Sequence, residues 1–118
     1  MPIYSGNVLT GSTSGRPIPI AATASPGTLI HTAASGTTGF DEVFLFGSNV
    51  TSANATITIE WGGTGNPADH LVTELAIPAR SVGYPLSVGQ RIQNGLSIRA
   101  FSGTASAINI TGWYNRSS

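Results

Sequence analysis

The chain has 118 residues, a length that suits one domain with a buried core of its own. Cysteine is absent, which excludes a disulfide framework, a thiolate metal site and a cysteine nucleophile. Charged residues make up 8% of the chain, against about 25% in an ordinary soluble domain. Five arginines balance five carboxylates and lysine is absent, so the sequence offers no basic field for nucleic acid. This composition favours a protein whose surface is partly covered by neighbouring subunits.

The first residues lack the basic and apolar regions of a secretory signal. No apolar run reaches the roughly 18 residues that a membrane-spanning segment needs. We therefore expect a protein that is made in the cytoplasm and has no membrane partner.

Residues 1–27 are rich in Gly, Ser, Thr and Pro, and the prolines interrupt any regular ladder or helix. The sequence predicts an extended N-terminal arm here, followed by a sandwich domain over residues 28–118. A disordered leader and an arm that orders on a neighbouring subunit both stay open, and the apolar clusters favour the second. On that interpretation a chain without residues 1–27 still folds. The predicted partner-binding residues of the arm are Ile3, Tyr4, Val8, Leu9, Ile18 and Ile20.

Residues 41–47 have apolar side chains at four consecutive positions, so both faces of the predicted strand are apolar. Such a strand is central in its sheet, or its outer face is covered by another chain. Phe44 and Phe46 share one of the two faces and are predicted partner contacts. In residues 54–61 strict alternation places Trp61 on the core face.

The rest of the chain repeats short alternating segments between Gly, Asn and Ser turns. Asn94-Gly95 leaves open whether residues 91–102 form one strand or two. About seven or eight strands predict an all-β protein, an antiparallel jelly-roll-like β-sandwich, with an immunoglobulin-like topology or a small barrel as alternatives. The remaining predicted strands cover residues 28–34, 69–78, 82–88 and 105–115.

The ionisable residues do not form a recognisable catalytic motif. His70 and Asp69 are neighbours, and no serine lies in a Gly-x-Ser-x-Gly turn. The glycines of residues 62–65 are not followed by the helix and lysine of a phosphate-binding loop. We predict no catalytic residue, no cofactor and no metal. One alternative is a calcium site in which Asp41 or Asp69 and loop carbonyls bind the ion. In the simpler interpretation, both carboxylates accept hydrogen bonds from backbone amides of turns.

Two side chains of the predicted sandwich surface are candidates for partner contacts. Trp113 lies on the opposite face of its predicted strand from Ile108 and Ile110, so it points away from the core. It is a candidate sugar platform or intersubunit contact, and we favour the contact. Arg99 shares a predicted outer face with Arg91, where a guanidinium group could meet a carboxylate of another subunit. The predicted partner-binding residues of the sandwich surface are Phe44, Phe46, Arg99 and Trp113.

The segments DEVFLFGSN, TITIEWGGT and IPARSVGYPLSVGQRIQNGLSIRAFS give residues 28–115 a distinctive rhythm of strands and turns. In this the chain resembles the small β-sandwich structural proteins of tailed-bacteriophage virions, including head decoration (cement) proteins. The resemblance implies a symmetric homo-oligomer, with a trimer favoured, that clamps neighbouring major capsid proteins. It also implies a location on the capsid surface after synthesis in the bacterial host, and it transfers no catalytic residue.

The sequence thus predicts a non-enzymatic virion structural protein, with a capsid decoration protein favoured. Its expected partners are its own copies and the major capsid protein. A carbohydrate-binding module of a phage tail or adhesin, and a tail or neck component, are the alternatives.

Overall fold

The computed structural model describes residues 4–117, and for Tyr4 and Ser5 it describes the backbone alone. This part of the chain contains nine strands, and no helix in it is long and apolar enough to cross a membrane. The strands are β1 (Tyr4–Val8), β2 (Ile18–Pro19), β3 (Thr28–Thr32), β4 (Phe40–Asn49), β5 (Ala55–Trp61), β6 (His70–Ile77), β7 (Tyr84–Ile92), β8 (Ser97–Ser102) and β9 (Ile108–Ser117).

The strand order makes the sandwich a jelly roll. The larger sheet has the order β1-β9-β4-β7, with β2 also on β9, and the smaller sheet has the order β3-β8-β5-β6. The antiparallel pairs β1 with β9, β3 with β8, β4 with β7 and β5 with β6 are those of one long hairpin that has been rolled up. The predicted all-β class and jelly-roll-like sandwich are confirmed.

The core lies between the two sheets, because every second residue of a strand points towards the other sheet. In β4 buried and partly buried residues alternate without a break from end to end, as expected for a strand that is central in its sheet. Trp61 packs against the core from its edge and is partly buried, so its predicted direction is correct. The largest fully buried apolar side chains are Leu9, Ile20, Ile30, Leu45, Ile57, Ile59, Ile77, Ile98, Ile108 and Ile110.

The two central strands of the larger sheet approach each other closely at Gly112. A Cβ atom at this position would lie 1.8 Å from the backbone oxygen of Phe44. No side chain fits there without moving β4 or β9, so glycine allows the close approach of these two strands.

Residues 93–96 separate β7 from β8 and carry the chain from the larger sheet to the smaller one. Asn94 and Gly95 both have positive φ angles, of 65° and 69°, which asparagine and glycine tolerate in a turn. Of the two possibilities that the sequence left open for this segment, the structure has two strands. They do not form a hairpin, because each belongs to a different sheet.

The structure corrects the prediction of an N-terminal arm that packs outside the sandwich. Residues 4–8 pair with β9 over their whole length, and residues 18–19 pair with the same strand further along. Leu9, Ile18 and Ile20 are buried in the core, with exposed fractions of 1%, 6% and 0%. Three of the apolar residues that suggested a neighbouring subunit therefore fill the core of their own chain, and prolines at a sheet edge do not prevent this.

Residues 25–27, at the end of this segment, are held against the smaller sheet by Glu60. This carboxylate is fully buried and accepts hydrogen bonds from Ser25 Oγ and from the Gly27 backbone N–H, the latter at 2.8 Å. Arg99 Nη1 donates to the Gly27 carbonyl at 3.2 Å. Residues 25–27 are therefore fixed to β5 and β8 by polar contacts that satisfy a buried carboxyl group.

Candidate functional site

The outer face of the larger sheet carries a row of apolar side chains. Strand register places Val8 beside Trp113, Trp113 beside Phe44, and Phe44 beside Val88, so the row crosses β1, β9, β4 and β7. Val8 is 51% exposed, Trp113 43% and Val88 67%. These four residues and Phe46 are called the aromatic face below. Contiguous apolar surface of this kind marks an interaction site more often than scattered apolar residues do.

The aromatic rings of this face are packed on one another. The Phe44 and Trp113 rings stack with centroids 4.8 Å apart and planes 13° apart, and the Phe46 and Trp113 centroids are 5.8 Å apart. This stacking fixes the indole before any partner arrives, so little side-chain entropy is left to lose on binding. It also means that a ring of its own chain occupies one face of the indole.

The charged groups beside the aromatic face neutralise each other. Arg91 Nε donates to Glu42 Oε2 at 3.1 Å, and the Arg91 guanidinium lies 4.3 Å from the centre of the Phe40 ring. Glu42 and Arg91 are cross-strand neighbours on the same outer face of the sheet. A partner of this surface therefore needs no excess charge of either sign.

The structure brings together three of the four residues predicted for the sandwich surface. Phe44, Phe46 and Trp113 form the aromatic face, but Arg99 lies on β8 in the other sheet, close to Gly27. The predicted shared face of Arg99 and Arg91 is wrong, because the turn between β7 and β8 changes sheets. Arg99 contacts its own chain.

The residues predicted to bind a partner through the arm are divided by the structure. Val8 is exposed on the aromatic face, whereas Leu9, Ile18 and Ile20 are buried and unavailable to a partner. Tyr4 pairs with β9 through its backbone. Ile3 lies outside the described residues.

A polar cluster, not predicted from the sequence, lies between the sheets. His31 and Asp41 are both fully buried, and His31 Nε2 is 2.8 Å from Asp41 Oδ2. Arg116 binds the same carboxylate twice, from Nε to Oδ1 at 2.7 Å and from Nη2 to Oδ2 at 3.0 Å. The Ala34 N–H adds a fourth donor at 3.2 Å. This is a buried carboxylate with its hydrogen-bonding capacity filled.

The second ring nitrogen of His31 faces residue 10. The Thr10 N–H donates to His31 Nδ1 at 3.3 Å, and Thr10 Oγ1 lies 3.3 Å from the same nitrogen. Because Nδ1 accepts an N–H, the proton of a neutral imidazole lies on Nε2 and points to Asp41. The Tyr114 ring packs beside the imidazole with centroids 4.3 Å apart.

His31 and Asp41, two of the titratable groups of the cluster, both have lowered pKa values. Burial is the largest influence on His31 and lowers its pKa from 6.5, against the opposing hydrogen bond and charge of Asp41. Burial alone raises the pKa of Asp41, but the hydrogen bonds from Arg116 and His31 outweigh it and hold the pKa below the ordinary 3.8. The neutral imidazole and the ionised carboxylate are therefore the stable forms near neutral pH.

The row Thr10–His31–Asp41 has the order of a hydroxyl, a base and a carboxylate, but it is unsuited to nucleophilic catalysis. The imidazole is fully buried, and its free lone pair already accepts the Thr10 N–H. The Thr10 hydroxyl oxygen accepts the Thr32 N–H at 2.7 Å. The cluster can bind or release a proton, and it has no open position for a substrate.

The glycine-rich loop between β5 and β6 wraps a carboxylate of its own chain. Gly65 N–H donates to Asp69 Oδ2 at 2.8 Å, and a Cβ atom at Gly63 would lie 2.5 Å from the same oxygen. The glycines therefore allow close approach to Asp69, which caps the loop as the simpler interpretation predicted. Among residues 4–117 no group of three or more acidic, histidine or cysteine side chains could hold a metal ion. Asp41, the other candidate, is occupied by Arg116 and His31.

Fold and surface together define a jelly-roll protein with one ordered apolar face. No protein-family model, curated protein or solved structure matched the chain.

Proposed function

We propose that this chain is a non-enzymatic structural protein that self-associates through the aromatic face. The in-register row of apolar side chains across four strands carries this proposal. Its rings are stacked in advance, and Trp is among the residues that contribute most to protein interfaces.

A second copy of the chain suits this face because of its charge. Glu42 and Arg91 neutralise each other beside the row, and the whole chain has a formal net charge of zero. A basic or acidic partner would find no counter-charge to bind, whereas two copies of the face can bury apolar area against each other.

The resemblance to virion proteins extends the proposal to a capsid decoration protein. Jelly rolls occur in viral capsid proteins and also in lectins, so the fold alone does not decide between these functions. In the decoration function, the oligomer clamps neighbouring major capsid proteins, and repeated weak contacts add up over a symmetric shell.

A carbohydrate-binding module is the alternative, and it depends on the same Trp113. Sugar platforms use the open face of an aromatic ring, and here both Phe44 and Phe46 stack against the indole. The geometry therefore favours protein contact at this residue.

Trp113→Thr is expected to weaken self-association by roughly 30-fold, the effect of losing an interface residue worth about 2 kcal/mol. The fold should persist, because residue 113 faces outward and threonine suits a strand. Sedimentation equilibrium over a range of concentrations measures the change. Val82→Thr is the matched control, since Val82 is 84% exposed and lies outside the strands. Equal dissociation constants for the wild type and Trp113→Thr would reject the aromatic face as the contact. Glycan-array binding lost in Trp113→Thr at unchanged mass would favour the alternative.

Electron microscopy of virions that carry the protein tests its location. Antibody label spread regularly over the head surface is expected for a decoration protein. Label confined to the tail or neck would replace that function with the tail alternative and leave self-association standing.

A further inference from the structure

The segment after β1 links the two sheets through the imidazole of His31. Strand β1 belongs to the larger sheet, and residues 10–11 then run along β3 of the smaller one. Three hydrogen bonds fix them there: Gly11 N to Ile30 O at 2.9 Å, Thr32 N to Thr10 Oγ1 at 2.7 Å, and Thr10 N to His31 Nδ1 at 3.3 Å. Only the third, together with the contact of Thr10 Oγ1 with the same ring nitrogen at 3.3 Å, depends on the protonation state of a side chain.

Protonation of His31 reverses the role of Nδ1. The neutral ring accepts the Thr10 N–H there, and the imidazolium ion carries a proton on both nitrogens. Two N–H groups would then face each other across the present 3.3 Å separation. The Thr10 N–H would lose its acceptor, and the new Nδ1–H would face the Thr10 hydroxyl oxygen, which already accepts the Thr32 N–H.

We propose that His31 is an acid-operated latch whose protonation releases Thr10 and loosens the segment of residues 4–11 from the sandwich. Release of this segment uncovers the outer edge of β9, which β1 covers over residues 113–117. It also removes Val8 from the aromatic face. The latch does not depend on what that face binds.

The charged and titratable groups around the ring determine when the latch opens. Asp41 on β4 favours the imidazolium ion, whereas Arg116 on β9 already neutralises that carboxylate with two hydrogen bonds. Tyr114 on β9 packs against the ring, and the residue 10 segment adds only a hydroxyl and an N–H. Burial, which opposes the charged form of the ring, is therefore the largest influence on the pKa of His31.

The direction of the pH effect follows from the lowered pKa of the closed state. At pH values between 6.5 and the lowered pKa of His31, the closed state binds fewer protons than an open or unfolded state. The latch is therefore fully closed above the ordinary histidine range, and its contribution is lost as the pH falls towards the pKa of the buried ring. Asp41 stays ionised over this range, because its own pKa is below 3.8.

Nuclear magnetic resonance of the full chain tests the latch, because the sequence has only one other histidine, His70, and the variant His70→Asn therefore assigns the two ring signals. At about pH 7.5 the His31 ring should be the neutral form with its proton on Nε2. Between about pH 7.5 and pH 5, amide exchange corrected for intrinsic rates should rise at Thr10 and Gly11 by about tenfold more than in the β4–β9 pair. An Nδ1–H proton at neutral pH, or a uniform rise at all sites, would overturn the proposal.

The variant His31→Asn separates titration from a structural role of the ring. Asparagine places an acceptor near the position of Nδ1 and does not titrate in this range. The selective rise at residues 10 and 11 should therefore disappear in His31→Asn and persist in His70→Asn. A selective rise that persists in His31→Asn would overturn the latch. If His31→Asn does not fold, the exchange pattern of the wild-type chain still decides.

Discussion

A chain that begins at residue 28 is expected not to fold. It lacks Leu9, Ile18 and Ile20, three core side chains, each of which contributes about 1.5–3 kcal/mol by burial. It also lacks the strand pairs that β1 and β2 make along β9. Because a whole domain is stable by only about 5–15 kcal/mol, these losses remove most or all of the folding free energy. Circular dichroism and the dispersion of amide resonances measure the result.

Two controls make this result specific. A peptide of residues 1–27 added in trans should restore cooperative unfolding, since it supplies the missing strands and core side chains. Val8→Ala in the full chain should be nearly neutral, because Val8 is half exposed, whereas Ile20→Ala should lower the free energy of unfolding by about 2–5 kcal/mol. A truncated chain that unfolds cooperatively near the wild-type temperature would instead support the predicted separate arm.

The contrast between the arm and the remaining strands shows where sequence patterns are informative. After residue 27, alternation of apolar residues predicted about seven or eight strands, where the structure has seven. It also predicted the direction of Trp61 and Trp113, because one buried face imposes period 2. In residues 4–20 the strands are five and two residues long, and β1, with the sequence YSGNV, has no alternation of apolar and polar residues. Isolated apolar residues such as Leu9 do not reveal whether they fill their own core or that of a neighbour. That distinction depends on sheet topology.

The aromatic face and the polar cluster show the same limit: the sequence predicts the direction of a side chain but not which side chains meet. Alternation placed Phe44 and Phe46 opposite the core, and Trp113 likewise, but only the order β9-β4 brings them side by side. For Asp41 a signal was present: it shares the parity of Val43 and Leu45, and so it points inward. Its partners His31 and Arg116 come from strands that are distant in sequence, which no spacing rule connects.

Asp41→Ala is expected to lower the free energy of unfolding by about 3–5 kcal/mol, because it breaks a buried ion pair by removing one partner. His31 Nε2 and the Ala34 N–H lose their acceptor, and Arg116 loses both of its hydrogen bonds to the carboxylate. These donors are left beside a cavity within the sandwich. Urea denaturation followed by circular dichroism measures the change, with a constant m-value as evidence that the transition remains two-state.

The adjacent carboxylate provides a matched control. Glu42 points to the outer face and pairs with Arg91, whose side chain is 61% exposed, so Glu42→Ala should cost no more than about 1 kcal/mol.

The pH dependence of the free energy of unfolding distinguishes the Asp41 and Glu42 substitutions further. Since the pKa of Asp41 is lowered on folding, its contribution is complete above 3.8 and is lost as the pH falls through the folded-state value. The difference between Asp41→Ala and the wild type should therefore narrow in strong acid. Equal effects of the two substitutions at neutral pH would contradict the buried network, because burial is what distinguishes neighbouring carboxylates on opposite faces of one strand.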